Sequence, residues 1–195
     1  MRAISIISMA LVLTISTTAF AEEASNKLRY SATAEIGYVV LTDPAEDTLD
    51  NAMGYGVTVS YHLRPFLRAE LPILASFHEG KDLSKDEDAE MSMISLTPGL
   101  AFGSTGRLRL WMFFGAGATM VRSKFEIGRD STEDEDIAFA TNFRTGLDLY
   151  WSKNLSIGFA VGVMTAALDA ERLNQSSKWQ TNTYYTLMGR VGYLF

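Results

Sequence analysis

The chain has 195 residues, a formal net charge of −6 at pH 7 and no cysteine. The acidic balance argues against a nucleic-acid-binding protein, because phosphates demand a basic surface. Without cysteine, no disulfide or thiol site can form.

The N-terminus has the pattern of a secretory signal peptide. A basic start at Arg2 is followed by an apolar run, Ala3–Ile15, and by small residues at Ala19 and Ala21. The run is too short for a transmembrane helix, which needs about 20 residues. We therefore predict a signal peptide over residues 1–21, cleaved after Ala21, and one mature domain over residues 22–195.

From Leu28 onward, apolar and polar residues alternate with the period of two that is typical of β-strands. No later segment is long and apolar enough to span a membrane as a helix, so any spanning must be done by strands. The alternation predicts eight strands: Leu28–Leu41, Met53–Arg64, Leu67–Glu79, Met91–Gly103, Arg107–Phe125, Ile137–Trp151, Leu155–Leu168 and Thr181–Phe195. The pattern between residues 89 and 103 is irregular, and it leaves ten strands open as an alternative.

The connections between these strands alternate in length. Short turns fall near Pro65, Thr105 and Lys153, and longer polar loops fall near Asp47, Lys85, Thr132 and Gln175. Short turns on one rim, long loops on the other and an even strand number are the pattern of bacterial outer-membrane barrels. The prediction is an all-β, eight-stranded, antiparallel up-and-down transmembrane β-barrel with both termini on the short-turn side.

The apolar parity of the strands is predicted to face lipid. The alternative is a soluble barrel of the lipocalin kind, with that parity inside, but eight strands enclose an interior just wide enough for side chains to fill. The apolar parity offers too many large residues for that space. The other parity carries most strand glycines, with Gly189 as an exception, and aromatic residues of the apolar parity cluster near both strand ends, as interfacial girdles do.

The inward parity also carries charges of both signs. We predict that they form a hydrogen-bonded network that plugs the lumen, because an unpaired buried charge is costly. Its predicted members are Arg29, Glu35, Arg64, Arg68, Glu70, Arg109, Arg144, Asp148 and Arg190. A gated ion path is the alternative. The plug is favoured because Trp111, Phe113, Tyr150 and Tyr184 also point inward.

Three of the four longer loops are rich in Asp and Glu, including residues 82–90 and 130–136. A solvated acidic rim is the default interpretation, and weak Ca²⁺ or Mg²⁺ binding is the alternative. No loop matches an EF-hand. We predict no metal site and no cofactor.

Ser76 and His78 form the only candidate catalytic pair. They share a face near the long-loop rim, and a Ser–His pair can support acyl transfer. Their parity points them inward, away from lipid, so an enzyme is not the favoured interpretation.

Taken together, the signal peptide, the eight alternating strands, the acidic loops and the terminal Tyr-Leu-Phe resemble small eight-stranded outer-membrane barrels. This class includes outer-membrane protein X, the transmembrane domain of outer-membrane protein A and opacity-type proteins. The resemblance implies that Val191, Tyr193 and Phe195 are read by the barrel assembly machinery. It also implies an outer-membrane protein with extracellular long loops, in contact with lipids and lipopolysaccharide.

The resemblance further implies a monomer that serves envelope structure or surface interaction, with a loop partner that the sequence does not identify. A narrow channel for ions or small solutes is the second expectation, and a lipid A-modifying acyl hydrolase or transferase is the third.

Overall fold

The computed structural model describes residues 30–42, 49–80, 87–127, 130–168 and 180–195. The predicted signal peptide, Arg29 and much of the first, second and fourth long loops lie outside these ranges. Within them, no helix is long and apolar enough to cross a membrane.

The described chain forms nine antiparallel strands. They are β1 (Tyr30–Leu41), β2 (Ala52–Arg64), β3 (Leu67–Glu79), β4 (Glu87–Leu96), β5 (Gly99–Gly103), β6 (Leu108–Ile127), β7 (Asp130–Tyr150), β8 (Leu155–Leu168) and β9 (Gln180–Leu194). Strands that are consecutive in the chain pair with each other except for β4 and β5, and β1 also pairs with β9. The sheet therefore closes on itself as a barrel and leaves no open edge around the ring.

Strands β4 and β5 together fill a single position in the ring. Both pair with β3 on one side and with β6 on the other. The interruption falls at Thr97–Pro98, next to Pro72 of β3, whose carbonyl accepts the Thr97 N–H at 3.3 Å. Neither proline can donate to the ladder, so the strand breaks where they meet. The ring has eight positions, and the predicted eight-stranded fold is confirmed.

The two parities of each strand lie on opposite sides of the wall. In β9, Leu187 is 54% exposed and its neighbour Met188 is 1% exposed. The same alternation runs through the described strands, with most large aliphatic side chains outside and with most glycine, polar and charged residues inside, together with a few apolar side chains such as Met188. Leu71, Val161 and the aromatic side chains near both rims are among the exposed apolar residues.

One predicted loop is wrong. Residues 126–136 are not a loop of about eleven residues, because β6 reaches Ile127 and β7 begins at Asp130. The acidic residues Glu133 and Glu135 lie in β7, opposite Lys124 and Arg122 of β6. Cross-strand pairing of opposite charges lets an acid-rich segment remain in a ladder that its composition alone does not favour. The second loop is also shorter than predicted, since β4 begins at Glu87.

The β6–β7 hairpin extends beyond the closed part of the barrel. Strand β7 pairs with β8 only from Phe139 onward, so residues 130–138 have no described strand on that side. At about 3.3 Å per residue, this segment is about 30 Å long. On the other side of the hairpin, β6 pairs with β4 up to Glu87↔Ile127.

Candidate functional site

Six charged side chains from four strands meet in the lumen and pair in a closed cycle, which we call the lumen ring. Its members alternate in sign, three guanidinium groups and three carboxylates: Arg68, Glu70, Arg144, Glu35, Arg190 and Asp148. In that order the N–O distances are 3.0, 3.8, 2.7, 3.2, 3.7 and 3.8 Å, the last returning from Asp148 to Arg68. All six are buried. The lumen ring is formally neutral, as the burial of so many charges requires.

The neighbouring glycines make room for these large side chains. Glu35 lies opposite Gly56, Arg144 opposite Gly162, and Asp148 opposite Gly158. A Cβ at Gly162 would lie 2.7 Å from Cγ of Arg144, and one at Gly158 would collide with the Asp148 carboxylate. The glycines of the inward parity therefore supply the volume that the charged side chains occupy.

Trp111 packs against the arginines of the lumen ring. The guanidinium carbons of Arg190, Arg68 and Arg144 lie 4.2, 5.7 and 5.9 Å from the centre of its indole ring. These are cation–π distances, and such contacts strengthen when they are shielded from water. Trp111 is 2% exposed. It thus fills the lumen on one side of the lumen ring.

Thr58 is a member of the network that the sequence analysis did not single out. Its hydroxyl donates to Oε1 of Glu35 at 2.9 Å, and Nη2 of Arg144 lies 3.4 Å from the same hydroxyl. The sequence signal that could have identified Thr58 was its position on the inward parity of β2.

Three of the nine predicted network residues lie outside the lumen ring. Arg109 lies near the short-turn mouth, with its guanidinium 4.2 Å from the centre of the Tyr150 ring. Arg64 is exposed and forms no ion pair with the described carboxylates, which corrects its predicted place. The β2–β3 register shifts between His62 and Arg64, and this irregularity ends the regular alternation on which the prediction rested. Arg29 lies outside the described residues.

Ser76 and His78 are hydrogen bonded, with 3.0 Å between Oγ and Nε2. Nδ1 of His78 lies 2.9 Å from the backbone carbonyl of Asp50 and must donate to it, so Nε2 accepts from the serine. This is the arrangement of a nucleophile and a base. Both residues point into the lumen, however, and they are 3% and 2% exposed. In the part of the chain that the structure describes, neighbouring residues therefore cover the Ser76 hydroxyl.

Among the described side chains, no three His, Cys, Asp or Glu residues are grouped so that they could hold a metal ion. Much of the predicted acidic loops lies outside the described ranges, so the Ca²⁺ or Mg²⁺ alternative stays a hypothesis.

The sequence also matches a known family. The model of the outer membrane protein beta-barrel domain family covers residues 7–195. The chain belongs to this family. As a member, it is a protein of the bacterial outer membrane.

Solved outer-membrane barrels have the same fold. The barrel is similar to Neisserial surface protein A, with a TM-score of 0.53, 10% identity, and coverage of 85% of this chain and 97% of that one. The outer membrane protein OprG of Pseudomonas aeruginosa gives a TM-score of 0.54 at 14% identity, covering 86% and 97%. For Ail, the attachment invasion locus protein of Yersinia pestis, the TM-score is 0.51 at 18% identity, covering 86% and 99%. No curated protein sequence matches the chain. At these identities the likeness concerns the fold alone.

Proposed function

We propose that this outer-membrane barrel is a non-enzymatic, non-conducting surface protein that acts through its β6–β7 hairpin. The proposal rests on one observation, which is that residues 130–138 of β7 extend beyond the last residue pair that joins β7 to β8. No strand among the described residues pairs with that side of β7, and an unpaired strand side offers its backbone to an extended segment of another chain. The short turns and both ends of the described barrel then face the periplasm, and the hairpin faces the medium.

The side chains of the hairpin suggest the chemistry of the partner. Four acidic residues follow one another in β7: Glu133, Asp134, Glu135 and Asp136. Among the described side chains of β6, the positively charged ones that lie opposite them are Arg122 and Lys124. Arg122 forms an exposed ion pair with Glu133. The hairpin keeps a net negative charge, which favours a basic partner segment through electrostatic complementarity.

The hairpin proposal is tested by shortening the hairpin in cells. Met120 and Ile137 lie opposite each other, so an Asn-Gly turn that joins them removes residues 121–136 and can close the remaining strands. In a deletion strain, the shortened protein is expected to restore detergent resistance but not adhesion to surfaces that the wild type binds. If it restores adhesion fully, the hairpin is not the interaction surface, and a role in envelope structure is favoured.

The lumen ring supports the non-conducting part of the proposal. Three guanidinium groups, three carboxylates and Trp111 occupy the lumen, and moving an ion past them requires the ion pairs to separate. The narrow channel remains the competing function. Several buried nitrogen and oxygen atoms of the lumen ring lack a protein hydrogen bond of good geometry, which favours some bound water there.

Planar-bilayer recording distinguishes a non-conducting barrel from a narrow channel. The purified protein is expected to show no steady single-channel steps in KCl. Steady steps that change on substitution of Glu35 would establish a channel instead, gated at the lumen ring.

The Ser76–His78 hydrogen bond is the observation that favours the third candidate, an enzyme that hydrolyses or transfers acyl chains of lipid A. If the protein is not an enzyme, lipid A from cells that express the wild type and lipid A from cells that express Ser76→Ala are expected to have the same mass spectrum. A deacylated or acylated species that depends on Ser76 would overturn the non-enzymatic proposal.

The C-terminal residues support a role in biogenesis. Val191 and Tyr193 are exposed on the outer face of β9, and Phe195 is exposed directly after the end of that strand. The rings of Tyr193 and Phe195 are 5.1 Å apart. An outward-facing row of this kind is open to the barrel assembly machinery while the strand is being inserted. We expect the assembled protein to be a monomer in contact with lipids and lipopolysaccharide.

A further inference from the structure

A small pocket opens at the short-turn mouth of the lumen, between the lumen ring and the rim. Among its lining residues are Phe66, Arg68, Ser104, Arg109 and Trp111. Aspartate and glutamate do not line it. The pocket lies apart from the Ser76–His78 pair and from the β6–β7 hairpin, and it shares Arg68 and Trp111 with the lumen ring and its packing.

Arg109 brings an uncompensated positive charge to this pocket. Its Nε donates to the Gly106 carbonyl at 3.2 Å and its Nη1 to the Tyr150 hydroxyl at 3.3 Å. Both acceptors are neutral, and Nη2 has no acceptor among the described residues. Because the lumen ring is formally neutral, the net charge beside the pocket is that of Arg109.

Two other polar groups of the pocket can also donate. The Nε1–H of Trp111 is buried without an acceptor in the described part of the chain, whereas Nη2 of Arg68 already faces Oε1 of Glu70 at 3.0 Å. Ser104 already accepts the N–H of Leu110 at 2.9 Å, which leaves its hydroxyl proton free to donate. An anion can accept hydrogen bonds from such donors and also offsets the charge of Arg109, whereas a water molecule brings no charge to the pocket.

The rim places such an anion near lipid headgroups. Phe66 lines the pocket and is exposed, as are Trp151 and Phe102 on the same rim. Exposed aromatic side chains of this kind mark the level of the membrane interface. The rim also carries Arg107 and Lys153, and its described turns contain no aspartate or glutamate side chain.

We propose that the short-turn mouth of the lumen is a binding site for a phosphate-type oxyanion. One oxygen enters the pocket and accepts from Arg109, Ser104 and the neighbouring donors. The source is a lipid headgroup phosphate or free phosphate, which present the same chemistry to the pocket.

The test follows the indole N–H of Trp111 by NMR in the full-length mature protein, folded in a phosphate-free detergent. The signal is assigned with Trp111→Phe, and Trp151, which is exposed on the outer face, serves as an internal control. Inorganic phosphate is expected to shift the Trp111 signal saturably and to leave Trp151 unchanged. Arg109→Gln is expected to weaken binding by about tenfold or more, the effect of losing a charge-assisted hydrogen bond.

Arg107→Gln is the matched control, since it removes the same charge from an exposed position on the same rim. It is expected to change the affinity by less than about twofold, because an exposed charge is screened. If Arg109→Gln does not fold, Arg109→Lys replaces it, with binding expected to be weakened and the charge retained.

Nanodiscs distinguish the two sources. In phosphate-free phosphatidylglycerol discs, a Trp111 signal already at its bound position identifies the lipid headgroup. A signal that still titrates with added phosphate identifies the free ion. A Trp111 signal that does not saturate under either condition, or equal losses of affinity in Arg109→Gln and Arg107→Gln, would overturn the proposal.

Discussion

Glu35 holds together one side of the lumen ring. It is buried, it pairs with Arg144 at 2.7 Å and with Arg190 at 3.2 Å, and it accepts the Thr58 hydroxyl. When a buried residue with several charged partners is substituted, stability falls mainly because those partners are left buried without a counter-charge.

Glu35→Gln is therefore expected to lower the free energy of unfolding by about 3–5 kcal/mol, the range for breaking a buried ion pair from one side. The measurement is urea unfolding of the folded protein in detergent, followed by tryptophan fluorescence. The control is Glu133→Gln, which breaks an exposed ion pair with Arg122 and is expected to cost less than about 1 kcal/mol. Equal effects of the two substitutions would mean that the lumen is well hydrated and that the lumen ring contributes little.

The sequence was enough to assign the lumen-ring residues to the inward face, because parity alone decides which side of the wall a side chain takes. The sequence could not show which of these residues form ion pairs with one another. Arg144 meets Glu35 across the lumen from a strand far away in the sequence, and this depends on the relative register of all strands between them. Arg64 shows that parity can also fail to predict the position of a side chain. One irregularity after His62 was enough to make the predicted inward position of Arg64 wrong.

At the scale of the strand, β1 and β9 provide a matched pair of glycines. Gly37 faces inward and lies opposite Met188, while Gly189 lies opposite Ile36 on the other parity. A Cβ at Gly37 would collide with the backbone carbonyl of Leu187, whereas one at Gly189 would come no closer than 3.6 Å to the Ile36 oxygen.

We expect Gly37→Ala to destabilise the barrel by about 1–3 kcal/mol, as overpacking does. Gly189→Ala is expected to be tolerated, with a change within about 0.5 kcal/mol. Folded and unfolded fractions after heating can be read from the mobility shift in electrophoresis and complemented by urea titration. A Gly37→Ala protein as stable as the wild type would show that β1 and β9 can separate slightly without loss.

Strand ends were harder to predict than strand centres, for a reason visible in β7. Alternation of apolar residues identifies the part of a strand that touches lipid, and it stops at about Ile137 in β7. The ladder continues because Glu135 and Glu133 face Arg122 and Lys124, a relation that cannot be recognised before the hairpin register is known. The break in the strand at Thr97–Pro98 was hard to predict for the same reason, because it depends on Pro72 in the neighbouring strand β3.

For the whole molecule, the decisive property is which side of the wall faces lipid. Nitroxide labels at Leu71, Val161 and Leu187 are expected to be reached by oxygen dissolved in the membrane and shielded from a water-soluble nickel complex. A label at Thr105, in a short turn, serves as the control and is expected to be reached by the nickel complex. Labels on the strands that behave like the one at Thr105 would contradict the orientation of the wall.

The lumen ring also ties the two ends of the barrel together. Glu35 of β1 and Arg190 of β9 lie directly opposite each other and form one of its ion pairs, at the seam where the first strand zips to the last. Until β1 and β9 pair, Glu35 and Arg190 cannot form this ion pair, and both charged groups must stay hydrated. Sealing the seam and pairing these two charges are therefore one event, and we expect an insertion intermediate with an unsealed seam to be more permeable to water and ions than the finished protein.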